Sequence, residues 1–372
     1  MGKKRKWGEI DFWLLVTVLL LVVIGVSSVY SASYNVAYFR TGDSEFYLLR
    51  QGMFAVLGII AMIVVMQIDY HKYNNQRLMV VLIFFTMALL VVVLFMPPVN
   101  GARRWINLGF TTVQPSEIAK YVVVLTLAKV LENKSHKMDK VSTLVVTLGI
   151  AGVFAGLVII EPNMSIASVI LIVSGVMIVM AGAKWSHIFT LLIGGVVGLV
   201  ALIFAAPYRV ARFMSFTNPW ADPKGAGYQL IQSLYALASG GILGVGIGNS
   251  RQKMMYIPEP HNDFIFAIIG EELGLIGCIA LIAIYCFFIY RGFKVALRAK
   301  DTYGSLLAIG ITSVIAVQAM VNIAVVTGSM PVTGVPLPFI SYGGSALVFN
   351  LIAMGILLNI SRQSREKNNK LK

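Results

Sequence analysis

Long apolar runs separated by short polar connections make up most of this chain. A membrane-spanning helix needs about 20 mostly apolar residues, and ten segments approach or exceed that length. They lie at 11–33, 50–68, 78–97, 116–132, 142–161, 166–183, 185–206, 264–290, 304–327 and 341–361. The pattern predicts an all-α integral membrane protein with ten transmembrane helices, folded as a single polytopic membrane domain over residues 1–372.

Composition agrees with an integral membrane protein and bears on whether the chain binds nucleic acid. The chain is 58% hydrophobic and 12% charged, whereas a soluble domain is about a quarter charged. The net charge of +14 comes from bases in short loops and tails between the apolar runs, with no cluster on a soluble face. The charge therefore indicates membrane topology and gives no sign of nucleic-acid binding.

The distribution of Lys and Arg predicts the orientation. With the N-terminus inside, most bases fall on the cytoplasmic side, as the positive-inside rule requires. This places both termini in the cytoplasm and leaves a long extracytoplasmic loop at about 207–263, between helices 7 and 8. The first apolar run is longer than the hydrophobic part of a secretory signal, so we expect it to be retained as a helix.

One carboxylate, Asp263, stands where this loop meets the apolar segment 264–290. Taking an acid out of water there is costly, and it raises the pKa toward that of a general base. Capping of the following helix is a competing and compatible explanation, because Asp is a favoured N-cap. Glu271 lies eight residues on, about 12 Å deeper at helical rise, so the two do not form the close carboxyl pair of a glycosidase.

A second cluster combines Arg103 and Arg104 with Glu117 and Lys120. The last two are three positions apart, so they share one helix face. Guanidinium and ammonium groups at the outer surface suit a diphosphate. The alternative is an interfacial anchor beside an ion pair that neutralises itself.

A third region, 331–345, is rich in Pro and Gly and interrupts the apolar pattern. It is either a re-entrant loop that lines a site or a rigid external turn, and we favour support of a cavity. Ser341 is a candidate substrate contact within it. His261 is a second candidate beside Asp263, although a solvated loop histidine is the default interpretation. No Cys/His spacing predicts a metal site.

Five motifs in order resemble the SEDS family of bacterial cell-wall proteins, which includes RodA, FtsW and SpoVE. The chain leans toward the FtsW and SpoVE branch. The motifs are Ala-Arg-Arg-Trp at 102–105, Gln-Pro-Ser-Glu-Ile-Ala-Lys at 114–120, Asp-Phe-Ile-Phe-Ala at 263–267, Gly-Glu-Glu-Leu-Gly at 270–274 and Pro-Phe-Ile-Ser-Tyr-Gly-Gly-Ser at 338–345.

The resemblance implies a peptidoglycan glycosyltransferase that polymerises lipid II at the outer face of the bacterial cytoplasmic membrane, in cell division, elongation or sporulation. Asp263 matches the essential catalytic residue of the family, and Glu117 and Lys120 match residues that are functionally important there. The family works with a class B penicillin-binding protein, a transpeptidase that crosslinks the new strand.

The expected reaction is a single inverting displacement with Asp263 as general base. Arg103, Arg104 and Lys120 are expected to offset the charge of the undecaprenyl diphosphate. A Mg²⁺ ion beside the diphosphate is compatible with this chemistry, but no ligand cluster in the sequence requires one.

Two other functions remain open at this point, a lipid II flippase and a non-catalytic scaffold for the penicillin-binding protein. The informative residues gather at the outer side rather than at the bilayer midplane, which disfavours a transporter. The chain also departs from the family at Asn163, where Pro-Asp-Leu-Gly-Thr is usual and an acid is expected.

Overall fold

A computed structural model describes residues 9–98, 101–109, 111–134, 140–204 and 207–369. Within these ranges the chain forms twelve α-helices and one two-stranded hairpin. The helices are α1 (Phe12–Thr41), α2 (Phe46–Gln67), α3 (Gln76–Val92), α4 (Pro115–Asn133), α5 (Val141–Ile160), α6 (Met164–Met180), α7 (Trp185–Phe204), α8 (Pro207–Thr217), α9 (Tyr228–Gly240), α10 (Ile265–Leu297), α11 (Thr302–Val326) and α12 (Gly344–Asn369). The hairpin strands are β1 (Ile106–Asn107) and β2 (Thr112–Val113), which are antiparallel.

Each of the ten apolar segments overlaps one helix, from α1 to α7 and from α10 to α12. Seven helices of the described chain are long and apolar enough to cross a membrane, and α6 is apolar but shorter. The all-α, multi-pass class is therefore confirmed. Ten spans, and the orientation of the termini, stay predictions.

Helix starts follow local capping chemistry. Asp11, Asn163 and Asp301 precede α1, α6 and α11, and each side chain accepts a hydrogen bond from a backbone N–H of the first turn. Such caps satisfy donors that a helix leaves without partners, which matters most where no water competes. Pro115 starts α4 at a position that needs no N–H.

The bundle is organised around α11, in which 78% of the apolar window is buried. Helices α4, α6 and α10 pack against it, while α2 runs along α12 and α1 packs against α2 and α10. The arrangement leaves two groups of helices, with α1, α2 and α12 on one side and α4, α5 and α6 on the other. The ends of these two groups nearest the start of α10 border the site described below.

Helix α10 is interrupted at Gly274, where φ is 66° and ψ is −166°. The connection after α9 inserts its backbone there. The N–H groups of Val245 and Gly246 donate to the carbonyls of Glu271 and Glu272, at 3.0 Å each. Backbone groups released by the break thus find partners in the loop, as is required at membrane depth. The sequence predicts a membrane helix for the apolar segment 264–290; α10 covers it, and the break at Gly274 is a feature that the apolar pattern does not indicate.

Two glutamates beside the break hold the same loop through their side chains. The Glu271 carboxylate accepts from the N–H groups of Arg251 and Gln252, at 3.0 and 3.2 Å. The Glu272 carboxylate lies 2.9 Å from Lys253 Nζ and accepts from Ser31 of α1 at 2.6 Å. Both charges are satisfied inside the protein, so these acids fix the loop that leads to Asp263.

Replacing Gly274 by Ala is expected to destabilise the protein strongly. The backbone conformation at Gly274 is essentially restricted to glycine and costs about 1–3 kcal/mol for other residues. A Cβ would also lie 2.3 Å from the Gly244 nitrogen and 2.5 Å from the Ile242 oxygen. The measurement is the midpoint of thermal unfolding in detergent.

The matched control is Gly175→Ala on α6, where a Cβ meets nothing within 4 Å. That variant should unfold at the wild-type temperature or slightly above it. Equal midpoints for the two variants would contradict the inserted-loop account.

Candidate functional site

A cavity of about 920 Å³ opens at the end of the bundle where α1 ends and α4 and α10 begin. Its walls come from α2, the hairpin, the start of α4, the loop before α10 and the Pro/Gly-rich segment 332–345. A smaller cavity of about 370 Å³ lies at the opposite end, beside Leu131, Met180 and Leu297. Five of the seven predicted site residues line the larger cavity: Arg104, Glu117, His261, Asp263 and Ser341.

Asp263 is held by its backbone. The Asn322 side-chain amide on α11 donates to the carbonyls of Asp263 and Val335, at 2.7 Å each. The Ser341 hydroxyl donates to the Asn262 carbonyl at 2.7 Å and accepts from the Leu337 N–H at 2.8 Å. These bonds join the loop before α10 to the Pro/Gly-rich segment and set the direction of the Asp263 side chain.

The Asp263 side chain does not cap α10. That helix begins at Ile265, its N-cap is Phe264, and no side chain bonds its first turn. The capping explanation is therefore wrong. Within the described ranges no group donates a hydrogen bond to the carboxylate, and the nearby Gly334 leaves it room, since a Cβ there would lie 3.1 Å from Oδ2.

Burial raises the pKa of Asp263 to about 6. Asp263 as a whole is partly exposed to the cavity. Its carboxylate is nevertheless surrounded mainly by protein atoms. Arg104 and Arg212 pull the pKa down and Glu259 pushes it up, but the loss of water dominates. The carboxylate is thus poised to exchange a proton near neutral pH.

The two adjacent arginines have different partners. Arg104 lines the cavity, and its guanidinium donates to the carbonyls of Glu161 (3.4 Å) and Pro162 at the turn between α5 and α6. Arg103 is exposed and donates to the Leu94 carbonyl at 2.8 Å, and it does not line the cavity. The structure therefore brings only Arg104 to the site.

Glu117 and Lys120 form a buried ion pair. Each side chain is 1% exposed, and Lys120 Nζ lies 2.6 Å from Glu117 Oε2 and 2.8 Å from Gln318 Oε1 on α11. Glu117 and Gln318 line the cavity, whereas Lys120 lies behind them. Breaking such a pair would leave an uncompensated charge away from water, which is strongly unfavourable.

His261 is buried, with 2% of its surface exposed, so the default of a solvated loop histidine is wrong. Its ring lies 4.3 Å from the Tyr47 ring and 5.4 Å from the Tyr342 ring, centroid to centroid. Burial, and then Arg40, lowers its pKa to about 4. The imidazole is neutral at neutral pH and packs α2 against the loop that carries Asp263.

Sequence reasoning missed several residues that complete the site. Gln318 and Asn322 are polar positions four apart in an apolar run, so they share a helix face, and this spacing could have identified them. Arg212 of α8 lines the cavity, with its guanidinium 3.5 Å from the Val332 carbonyl. Asn163 lines it too, and donates to Ser116 Oγ at 3.2 Å while capping α6.

No group of three or more His, Cys, Asp or Glu side chains in the described residues is placed to hold a metal ion. A Mg²⁺ ion at Asp263 would have to take most of its ligands from substrate phosphates and water, which is a common arrangement for this ion.

The fold and the site together define a multi-pass membrane protein with a polar cavity at one end of its helical bundle. The model of the family of cell cycle proteins FtsW, RodA and SpoVE matches residues 12–366. The chain belongs to this family.

Curated relatives match over nearly their whole length. Stage V sporulation protein E of Bacillus subtilis (strain 168) is 45% identical, over 95% of this chain and 98% of that protein. The probable peptidoglycan glycosyltransferase FtsW of Geobacter sp. (strain M18) is 38% identical, over 95% and 97%.

Solved structures share the fold. A chain of a peptidoglycan synthase complex that coordinates polymerization and crosslinking superposes with a TM-score of 0.77 at 28% identity, over 95% of this chain and 98% of that one. The rod shape determining protein RodA of Thermus thermophilus gives a TM-score of 0.69 at 26% identity, over 95% and 97%.

Ser341→Ala is expected to loosen the loop that carries Asp263. The change leaves the Asn262 carbonyl and the Leu337 N–H without their partner, at a cost of about 1–3 kcal/mol for buried groups. Amide hydrogen exchange should accelerate at Leu337 and across 258–264. In the control, Ser174→Ala, the lost hydroxyl bonds only the Ile170 carbonyl of its own helix, and exchange in 258–264 should stay at the wild-type rate. Equal exchange in both variants would show that Ser341 does not support the loop.

Proposed function

We propose that this protein polymerises lipid II into glycan strands at the outer face of the bacterial cytoplasmic membrane, as a peptidoglycan glycosyltransferase with Asp263 as general base. The observation that carries the proposal is which of the carboxylates in the cavity have a cationic partner. Three carboxylates line it, and two are paired, Glu117 with Lys120 at 2.6 Å and Glu259 with Arg40 at 3.2 Å. Asp263 has no such pairing within the described chain and is suited to take a proton.

Arg104 and Arg212 supply the charge that a diphosphate leaving group needs. Both line the cavity, and both act electrostatically on Asp263, which places them near the reacting centre. Fixed cations around a leaving group stabilise the charge that develops in the transition state. Lys120 contributes less, because Glu117 neutralises it, and Arg103 contacts the end of α3 instead of the cavity.

The proposed reaction is one displacement. Asp263 takes the proton from the acceptor hydroxyl as its oxygen attacks the anomeric carbon of the donor, and the diphosphate leaves from the opposite face. A retaining mechanism needs a second carboxyl about 5 Å away as nucleophile or acid. The two other acids of the cavity are already neutralised by partners, so inversion is expected.

The partner in this proposal is a class B penicillin-binding protein, a transpeptidase. The similarity to a chain of a peptidoglycan synthase complex supports this pairing. The relatives named for sporulation and for FtsW support a role in sporulation or division. A lipid II flippase or a non-catalytic scaffold would share the membrane fold, but neither needs an unpaired acid beside two arginines.

Asp263→Asn should reduce glycan polymerisation by at least about 10²–10⁴-fold, the usual contribution of a general base. The assay supplies labelled lipid II in detergent to the purified protein, with and without the penicillin-binding protein. The change keeps size and polarity and removes only the basic site. In this vesicle-free assay a flippase or a scaffold makes no glycan.

The matched control is Asp222→Asn, an acid of the same extracytoplasmic loop that accepts hydrogen bonds from the Gly225 and Ala226 N–H groups and does not line the cavity. It should polymerise at the wild-type rate. Undiminished activity in Asp263→Asn would refute the assignment of the base.

The polymerisation rate should fall below about pH 6, where Asp263 becomes protonated. A base works in its charged form, so the rate should drop about tenfold per pH unit well below its pKa. The residual activity of Asp263→Asn should lack this acidic limb. A flat wild-type profile from pH 7.5 to 5 would contradict the raised pKa or the role as base.

A further inference from the structure

The cavity has two cationic sides. On one side Arg104 and Arg212 face Asp263 and are anchored to backbone carbonyls at the turn after α5 and at Val332. On the other side Arg40, at the outer end of α1, and Arg50, in the first turns of α2, line the same cavity. A site that binds one diphosphate requires only one of these two pairs of arginines.

Arg50 is arranged to receive an anion. Its guanidinium lies 4.3 Å from the centroid of the Phe46 ring, and it interacts electrostatically with the nearby Tyr342 side chain. No carboxylate of the described residues pairs with it. Arg40 beside it is paired with Glu259, with 53% and 34% of the side chains exposed, an exposed pair that contributes little. The positive charge at this side is therefore largely that of an oriented Arg50, and a guanidinium suits phosphate oxygens.

The two sides differ in their relation to the base. Arg104 and Arg212 act on Asp263, whereas Arg40 acts on His261 and Arg50 acts on Tyr342. The Arg50 guanidinium contacts the Phe46 ring, which contacts the Tyr47 ring, and Tyr47 in turn contacts His261 of the Asp263 loop. These contacts place Arg50 on the α2 side of the rings, whereas Asp263 lies two residues beyond His261 along the loop.

Polymerisation brings two lipid-linked diphosphates together. One of them lies close to the reacting atoms and the other lies farther away. The donor carries its diphosphate on the carbon that is attacked. The acceptor attacks with a hydroxyl at the other end of its disaccharide from its own diphosphate. The anion near the base therefore belongs to the donor, and the distant one to the acceptor.

We infer that Arg50, oriented by Tyr342 and Phe46 and assisted by Arg40, forms a second anion subsite that binds the diphosphate of the acceptor lipid. This inference rests on the proposed polymerase function. It assigns the side of the cavity formed by α1, α2 and α12 to the acceptor, and the side formed by the hairpin, α4 and α8 to the donor.

Binding stoichiometry tests the subsite without turnover. The probe is labelled undecaprenyl diphosphate, titrated into the full chain carrying Asp263→Asn in nanodiscs of zwitterionic phospholipid. Two equivalents should bind. Adding Arg50→Gln should weaken one of them about 10- to 100-fold, the loss expected for a charge-assisted hydrogen-bonded contact, and Arg104→Gln should weaken the other.

The control is Arg298→Gln, an exposed arginine at the opposite end of α10, which should leave both equivalents unchanged. Tyr342→Phe removes the hydroxyl that orients Arg50 and keeps the ring, so it should weaken the same equivalent as Arg50→Gln, by a smaller factor. A single equivalent in the parent chain, or two full-affinity equivalents in Arg50→Gln, would overturn the inference.

The headgroup phosphate of an ordinary anionic phospholipid has the same chemistry. A parallel titration in nanodiscs containing phosphatidylglycerol separates the two sources. The Arg50-dependent equivalent should persist there, and its complete displacement would overturn the inference by assigning the subsite to membrane lipid.

Measurements of glycan formation distinguish a failure of this inference from a failure of the proposed function. With an acceptor disaccharide that lacks the diphosphate, Arg50→Gln should no longer slow glycan formation relative to wild type, while Arg104→Gln still should. Equal losses with both acceptors would overturn the inference. Two equivalents of binding without any glycan from the wild-type chain would uphold the subsite and refute the polymerase.

Discussion

The site depends on one constraint: Asp263 is fixed through its backbone, while no group in the described part of the chain pairs with its carboxylate. The Asn322 amide holds the Asp263 carbonyl, and Ser341 and Tyr342 hold the carbonyls of the two preceding residues. A carboxylate fixed through its own oxygens would be stabilised in its charged form and would be a weak base. Fixing the backbone instead gives position without that loss, and burial then raises the pKa.

The loop that leads to the site is also held through its backbone groups. Irregular backbone at the membrane surface is costly unless every polar group finds a partner. Here the break at Gly274 offers two carbonyls and Glu271 offers a carboxylate to the loop after α9. The Gly-Glu-Glu-Leu-Gly motif thus builds the support for the loop, and the acid eight residues earlier, the proposed base, takes no part in that support. This explains how three acids close in sequence take different roles.

The sequence was informative where a single local rule decides the outcome. Apolar run length placed the helices, and the spacing of Glu117 and Lys120 predicted that they share a helix face. The cost of burying an acid at Asp263 pointed to the candidate site. The sequence failed where two distant segments decide together. Which of Arg103 and Arg104 faces the cavity depends on carbonyls at Leu94 and at the turn between α5 and α6. The break at Gly274 depends on backbone from residues 241–246. The choice between capping and support at Asp263 required the contact with Asn322, which lies 59 positions away.

In the proposed reaction a single base drives one displacement, and the stereochemistry of the product tests this most directly. Nuclear magnetic resonance of glycan formed from a donor of known anomeric configuration gives the configuration of the new bond. Inversion, with no sugar attached to the protein after rapid quenching, is the predicted result. Retention, or a glycosyl group covalently bound to Asp263, would contradict the account and make this carboxylate a nucleophile.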